Sequence, residues 1–222
     1  MLDCVTARRR LSYQRAAIVA ALLAVAVCAS LAVAALAASV PNADAIVLKA
    51  SQVGPGYRAS LIQDGRQVAG QVTLDLCDYT FASESERAAR IQEQYVKSAT
   101  LPAVSNEVVA YRPGGTVAAL LELQGAVRSC PSTPRTGPSV GEQVPTTFHL
   151  TRLTVPHLTA SYVAVRINET ATISGREQTI SGDAIYQFRD NVMSAVYGHG
   201  QDAAATVALT VHAAQAAARN LG

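Results

Sequence analysis

Four histidines, His149, His157, His199 and His212, are the first side chains to consider for chemistry, and none has an acidic partner at metal-ligand spacing. No metal site and no cofactor are therefore expected. The chain after residue 44 carries no GxSxG elbow, HExxH pair, phosphate loop, GxGxxG or S-x-x-K, so no catalytic residue is assigned. His199 stands apart because Gly198 and Gly200 hold it after a strand. A loop imidazole can act as acid or base, although a turn that needs glycine explains the same tripeptide. Tyrosine offers more: Tyr57, Tyr79, Tyr95, Tyr111, Tyr162, Tyr186 and Tyr197 supply most of the aromatic surface in a chain without Trp. An apolar body with a polar tip suits the wall of a cleft, and it also suits the outer face of a sheet. Arg166 and Arg189 lie near some of them and could meet an anion, as could any arginine on a solvated sheet face. The candidate ligand-binding set is Tyr162, Arg166, Tyr186, Tyr197 and His199.

Where such residues work is set by the run from Ala16 to Val40, which has no charged residue and follows Arg8, Arg9, Arg10 and Arg15. About 20 apolar residues span a bilayer core as a helix, and flanking arginines stay on the cytoplasmic side. Residues 1–44 thus read as a basic cytoplasmic stub with a signal peptide or single transmembrane anchor, and 45–222 as an exported domain. A secretory apolar core is usually shorter, which favours an anchor. Ala35-Leu36-Ala37 and Ala43-Asp44-Ala45 nevertheless offer small residues to a signal peptidase. Cys28 follows Val27, where a lipoprotein signal wants a small residue. The expected location is the cell membrane with an extracellular domain, or outside the cell if the leader is cut.

The formal charge of +2 from 18 basic and 16 acidic residues belongs to this leader, since beyond it basic and acidic residues balance at 14 each. A balanced domain has no electrostatic footprint for nucleic acid. Cys4 and Cys28 fall before the domain, so Cys77 and Cys130 are left to form a disulfide in an oxidising space. Two separate buried thiols are the alternative.

Gly54-Pro55-Gly56 ends a short helix begun at Asp44, a first strand starts at Tyr57, and Asp64-Gly65 turns the chain into a second strand over Val68–Leu76 to complete a hairpin. Further strands are expected at Ile91–Val96 and Asn106–Arg112. Thr116 is expected to cap a helix that ends at Cys130-Pro131 and shows Val117, Leu120, Leu121 and Val127 on related faces. Ser132 to Pro145 reads as a mobile loop. Alternation marks Tyr162–Ile173, Gln178–Arg189 and Val192–Tyr197 as consecutive antiparallel strands. Asp202 then caps a closing helix with Ala204, Val207, Ala208, Val211, Ala214 and Ala218 on one face. The fold class is α+β: an antiparallel β-sheet with two main helices packed beside it, preceded by the N-terminal hydrophobic helix.

Over roughly Ala45 to Gly222 this arrangement resembles the PknH-type extracellular sensor domain of actinobacterial receptor kinases and its free-standing relatives. The likeness rests on Gly56-Tyr57 at the entry, a helix ending in Cys130, and Arg189-Asp190-Asn191-Val192 before an Ala-rich terminal helix. It implies an antiparallel sheet with helices beside it, a cleft for an unidentified ligand, and no enzymatic activity. The chain departs from that family in having one candidate disulfide instead of two, no Trp and no kinase domain before the anchor. The expected function is an exported, membrane-anchored, non-enzymatic sensor-like or ligand-binding domain. Its partners would be the membrane, through residues 16–40, and a small ligand or cell-envelope component. An envelope hydrolase using His199, or a structural envelope protein without a pocket, are the other readings.

Overall fold

The protein is described here by a computed structural model covering residues 40–77, 79–98, 102–130, 135–137, 144–159, 161–200 and 202–222. The hydrophobic run, Cys4, Cys28 and Ala35-Leu36-Ala37 lie outside the described residues, apart from Val40. Among those described, no helix is long and apolar enough to cross a membrane.

Eight strands form one antiparallel sheet in the order β1-β2-β3-β8-β7-β6-β5-β4. They are β1 (Arg58–Leu61), β2 (Arg87–Val96), β3 (Ala103–Tyr111), β4 (Arg135–Gly137), β5 (Val144–Arg152), β6 (Ser161–Ile173), β7 (Arg176–Arg189) and β8 (Val192–His199). Two short helices, α1 (Ala43–Ile46) and α2 (Ala50–Val53), precede the sheet. Helix α3 (Gly115–Ser129) joins β3 to β4, and α4 (Ala203–Leu221) closes the chain. The β6-β7-β8 meander read from alternation is present, turning at Ser174-Gly175 and Asp190, where Ser174, Gly175 and Asp190 have positive φ.

The two long helices lie on opposite faces of the sheet. Odd residues of β6 and β8 and even residues of β7 point to the α3 side, where Val109, Val165, Tyr186, Phe188 and Met193 pack with Ala119, Leu123 and Ala126. The other parity faces α4, where Val104, Ala164, Ile185 and Val196 meet Ala213, Ala214 and Ala217, with Leu48 and Val53 alongside. The sheet is therefore the middle of three layers and is buried on both sides at its centre. Burying an aliphatic side chain fully is worth about 1.5–3 kcal/mol.

Several sequence expectations change. Val68–Leu76 is no strand: β1 pairs with β2 instead, and residues 62–77 and 79–81 cross the α3 face as an irregular segment. Glu84, in a single 3-10 turn at Ala82–Glu86, holds that segment by accepting the N–H groups of Thr73 and Leu74 at 2.9 and 3.1 Å. Alternation cannot tell such a stretch from a strand, because Leu74 and Leu76 are buried on either side of the exposed Asp75, while Val72 is 65% exposed. Helix α3 starts at Gly115 with Gly114 as its cap at φ 89°; Thr116 donates instead to the Asp190 carbonyl at 2.7 Å. Its buried face is Thr116, Ala119, Leu123 and Ala126, which leaves Val117 and Leu121 61% and 60% exposed. Ser132–Pro145 includes β4 and the start of β5.

Asp202 does cap α4, accepting from the N–H groups of Ala204 and Ala205 at 2.9 and 3.0 Å. The buried face of α4 is turned from the expected one: Thr206, Thr210, Ala213, Ala214 and Ala217 face inward, while Ala204 and Ala208 are exposed. With alanine all round the helix, apolarity does not mark a face. The two threonines can be buried because each hydroxyl donates to the carbonyl four residues back, Thr206 to Asp202 at 2.6 Å and Thr210 to Thr206 at 2.8 Å. Gln187 then bolts the helix to the sheet through the Ala214 carbonyl at 2.8 Å.

Contact between α4 and β8 is closest at Gly198, where a β-carbon would fall 1.7 Å from Thr210 Oγ1. Gly198→Ala is expected to lower stability by about 1–3 kcal/mol through overpacking, and Thr210→Ala in the same chain to restore part of it. Urea unfolding of the single and double variants measures this coupling. An unchanged midpoint for Gly198→Ala would show that the helix sits further from the sheet.

Candidate functional site

The sheet places a buried polar cluster on the α3 face. Gln92 and Ala195 flank Glu107 across the register from β2 and β8, and Arg90 and Tyr197 lie one step along the same face. Arg90 donates from Nε to Glu107 Oε1, which also accepts from Thr73 Oγ1 at 2.8 Å, while Tyr197 Oη donates to Oε2 at 3.3 Å. Arg87 donates to Thr73 Oγ1 at 2.9 Å and pairs with Glu84 at 3.2 Å. Burial pushes the Glu107 carboxyl upward, and Arg90, Thr73 and Tyr197 draw it back.

Such a network ties the irregular crossing segment to β2 and β3, and nearly every polar atom in it is engaged within the chain. Tyr111 Oη is the exception, a buried hydroxyl without a partner among the described residues. This arrangement positions a backbone; it does not present a reactive group. Removing one member of a buried ion pair costs about 3–5 kcal/mol, because the other charge is left unpaired.

Of the five residues singled out from sequence, Tyr186 and Tyr197 come together on the α3 face, their rings meeting edge to face at 5.7 Å. Arg166 lies on the α4 face, where it grips both carboxylate oxygens of Asp183 at 2.9 and 3.3 Å and donates to the Ala203 carbonyl at 3.2 Å. That guanidinium fastens the start of α4 to the sheet. Tyr162 packs half-buried at the head of β6 on the same side as Ala164. His199 is exposed at the end of β8, opposite Gly182 and Ala103. Among the described residues, no group of three His, Cys, Asp or Glu side chains could hold a metal ion.

A different place is open. Between the C-terminal half of α3 and the corner where β5 leaves the sheet for β6 lies a cleft of about 430 Å³. Gln124, Val127 and Arg128 line it from the helix, Arg152, Leu153 and Thr154 from the corner, and Tyr162, Val163 and Ala164 from β6. Its volume falls in the range of small-molecule sites, and its lining is more polar than apolar, with Val127, Leu153, Val163 and Ala164 as the apolar part. Arg128 and Arg152 are exposed, and no carboxylate is among the described residues that line it.

The bridge between Cys77 and Cys130, with Cα atoms 5.4 Å apart, fixes the end of α3 that forms one wall. Cys77 itself has φ 57°, a left-handed conformation costly for a residue with a β-carbon. Sequence reasoning found the bridge and named Tyr162 as a candidate, but it did not single out either arginine of the cleft. Arg128 stands in the last turn of a helix, where a cation is ordinary, and Arg152 ends a strand. Only the fold brings them to one cleft.

No protein-family model matches the chain, and no curated protein matches it. Among solved structures it is similar to the crystal structure of the extracellular domain of PknH from Mycobacterium tuberculosis, with a TM-score of 0.47 and 11% identity over 82% of this chain and 98% of that one. This is a distant likeness of fold.

The buried phenols give a direct check on the site's interior. Burial raises the ionisation of Tyr95, Tyr111, Tyr186 and Tyr197 above the ordinary tyrosine value. As pH climbs past about 10 the unfolded chain releases protons that the folded one retains, so stability falls. Tyrosinate absorbance should therefore rise in two stages, with these four residues contributing only as circular dichroism reports unfolding. A single reversible step with the fold intact would contradict their burial.

Proposed function

We propose that the chain is an exported, membrane-anchored, non-enzymatic domain of sensor-like type that binds a small ligand in the cleft between α3 and the β5–β6 corner. The cleft carries this reading: about 430 Å³ with an apolar floor, and rim cations that no described ion pair uses up. Arg166 and Tyr197, by contrast, are committed to partners within the fold.

Two further observations support the location. The Cys77–Cys130 bridge belongs to an oxidising compartment, and the Ala16–Val40 run behind four arginines has the length and flank of an anchor. The sensor-like character rests on the resemblance in Gly56-Tyr57, Cys130 and Arg189-Asp190-Asn191-Val192.

Thr154, exposed on the rim, is the place to block the cleft without disturbing the core. The full chain is incubated with cell-envelope extract, washed, and its retained small molecules identified by mass spectrometry. Thr154→Trp should abolish a compound retained by the unaltered chain, and His199→Ala should leave retention unchanged. Retention that survives Thr154→Trp and disappears with His199→Ala would move the site to the end of β8 and reopen the hydrolase reading.

A further inference from the structure

A second recess of about 180 Å³ lies against the first turns of α3, lined by Val117, Leu120, Ser161 and Phe188 among others. It is on the same flank of the helix as the cleft: Leu120 and Gln124 are one turn apart, and Ser161 is followed in β6 by Tyr162, which lines the cleft. The two recesses lie end to end. Along the outer edge of this flank Val117, Leu121, Gln124 and Arg128 follow at three- and four-residue spacing, a path of about 16 Å from apolar to cationic. Val117 and Leu121 are among the most exposed large apolar residues in the described structure.

Two guanidinium groups that no described ion pair uses line one cleft with no described carboxylate, which creates a local excess of positive charge among the described residues. The carbonyls at the C-terminus of α3 offset only about half a unit of it. Guanidinium groups match phosphate and carboxylate oxygens in geometry as well as charge. Gln124 and Thr154 add hydrogen-bonding capacity, while Val127, Leu153 and Val163 form an apolar floor that inorganic phosphate could not use.

We propose that the ligand is an anionic amphiphile, with its phosphate or carboxylate head between Arg128 and Arg152 and its apolar chain laid along α3 towards Val117 and Leu121. This inference rests on the cleft reading above and adds the chemistry of the occupant. Head and chain are each insufficient, so affinity depends on both ends at once.

The test uses the full chain in phosphatidylcholine nanodiscs, whose partitioning background is common to every variant, with calorimetric titration of octyl phosphate, octanoate, inorganic phosphate and octanol. Octyl phosphate or octanoate should bind at least tenfold more tightly than either octanol or inorganic phosphate. The tighter of the two identifies the head group. Arg128→Gln with Arg152→Gln should weaken binding of the favoured probe at least tenfold, and Val117→Ser with Leu121→Ser should weaken it several-fold. All four substituted positions are on the surface or rim, and unchanged circular dichroism verifies the fold.

Equal affinity of the favoured probe for the double arginine variant, or octanol binding as tightly as octyl phosphate, would overturn the proposal. If these results came with a neutral compound from envelope extract that Thr154→Trp abolishes, the cleft would stand and only its anionic chemistry would fall. If Thr154→Trp changed neither probe binding nor retention, the cleft itself would fall.

Discussion

The covalent bond between Cys77 and Cys130 is the constraint on which the geometry of the cleft depends. It closes a loop with a sequence separation of 53, and in the chain-entropy account such a closure stabilises the fold by about 4 kcal/mol. Its local consequence matters more here. Residues 62–77 and 79–81 have no ladder of their own, and α3 fully buries only Gly115, Thr116, Ala119, Leu123 and Ala126, with Leu120 and Val127 partly buried beside them. Each would be weakly held alone. The bridge joins the far end of one to the far end of the other, and so sets the distance between Arg128 and the β5–β6 corner.

Noncovalent ties finish what the bridge begins. Glu84 satisfies the backbone of Thr73 and Leu74; Glu122 on α3 accepts from the hydroxyl of Ser83 at 2.6 Å; Glu107 gathers Arg90, Thr73 and Tyr197 at the centre of the sheet. These carboxylates, Glu107 buried and Glu84 and Glu122 half-buried, fasten the crossing segment to sheet and helix. The division of labour follows from that. Charged groups under the segment hold structure, whereas Arg128 and Arg152 at the cleft rim enter no described ion pair. On the opposite face Arg166 and Gln187 do the corresponding work for α4.

What could be read in advance has a physical pattern. The β6-β7-β8 meander was legible because turn residues at Gly175 and Asp190 separate its strands, although burial on both faces removes the alternation at the centre of β7 and β8, and the start of α4 was legible because Asp202 is a cap with an Ala-rich run after it. The bridge was legible because the compartment leaves two cysteines. The helix faces were not: alanine is apolar on every side, and Thr206 and Thr210 hide their hydroxyls in their own helix, so the polar residues that mark an outer face were in fact inside. Pairings such as Arg90 with Glu107, or Arg128 with Arg152 across a cleft, depend on chain crossings that no spacing encodes. Tyr186 and Tyr197 are diagonal neighbours on adjacent strands, whereas Tyr162 and Arg166 belong to the other parity and therefore to the other face.

Hydrogen exchange on the full chain, with the bridge intact and after mild reduction, tests the central claim that the crosslink holds one wall of the cleft in place. Reduction should sharply lower protection across residues 115–129 and 70–77 while β3, β7 and β8 keep theirs. Protection of 115–129 that does not change on reduction, or that falls together with the whole sheet, would contradict it.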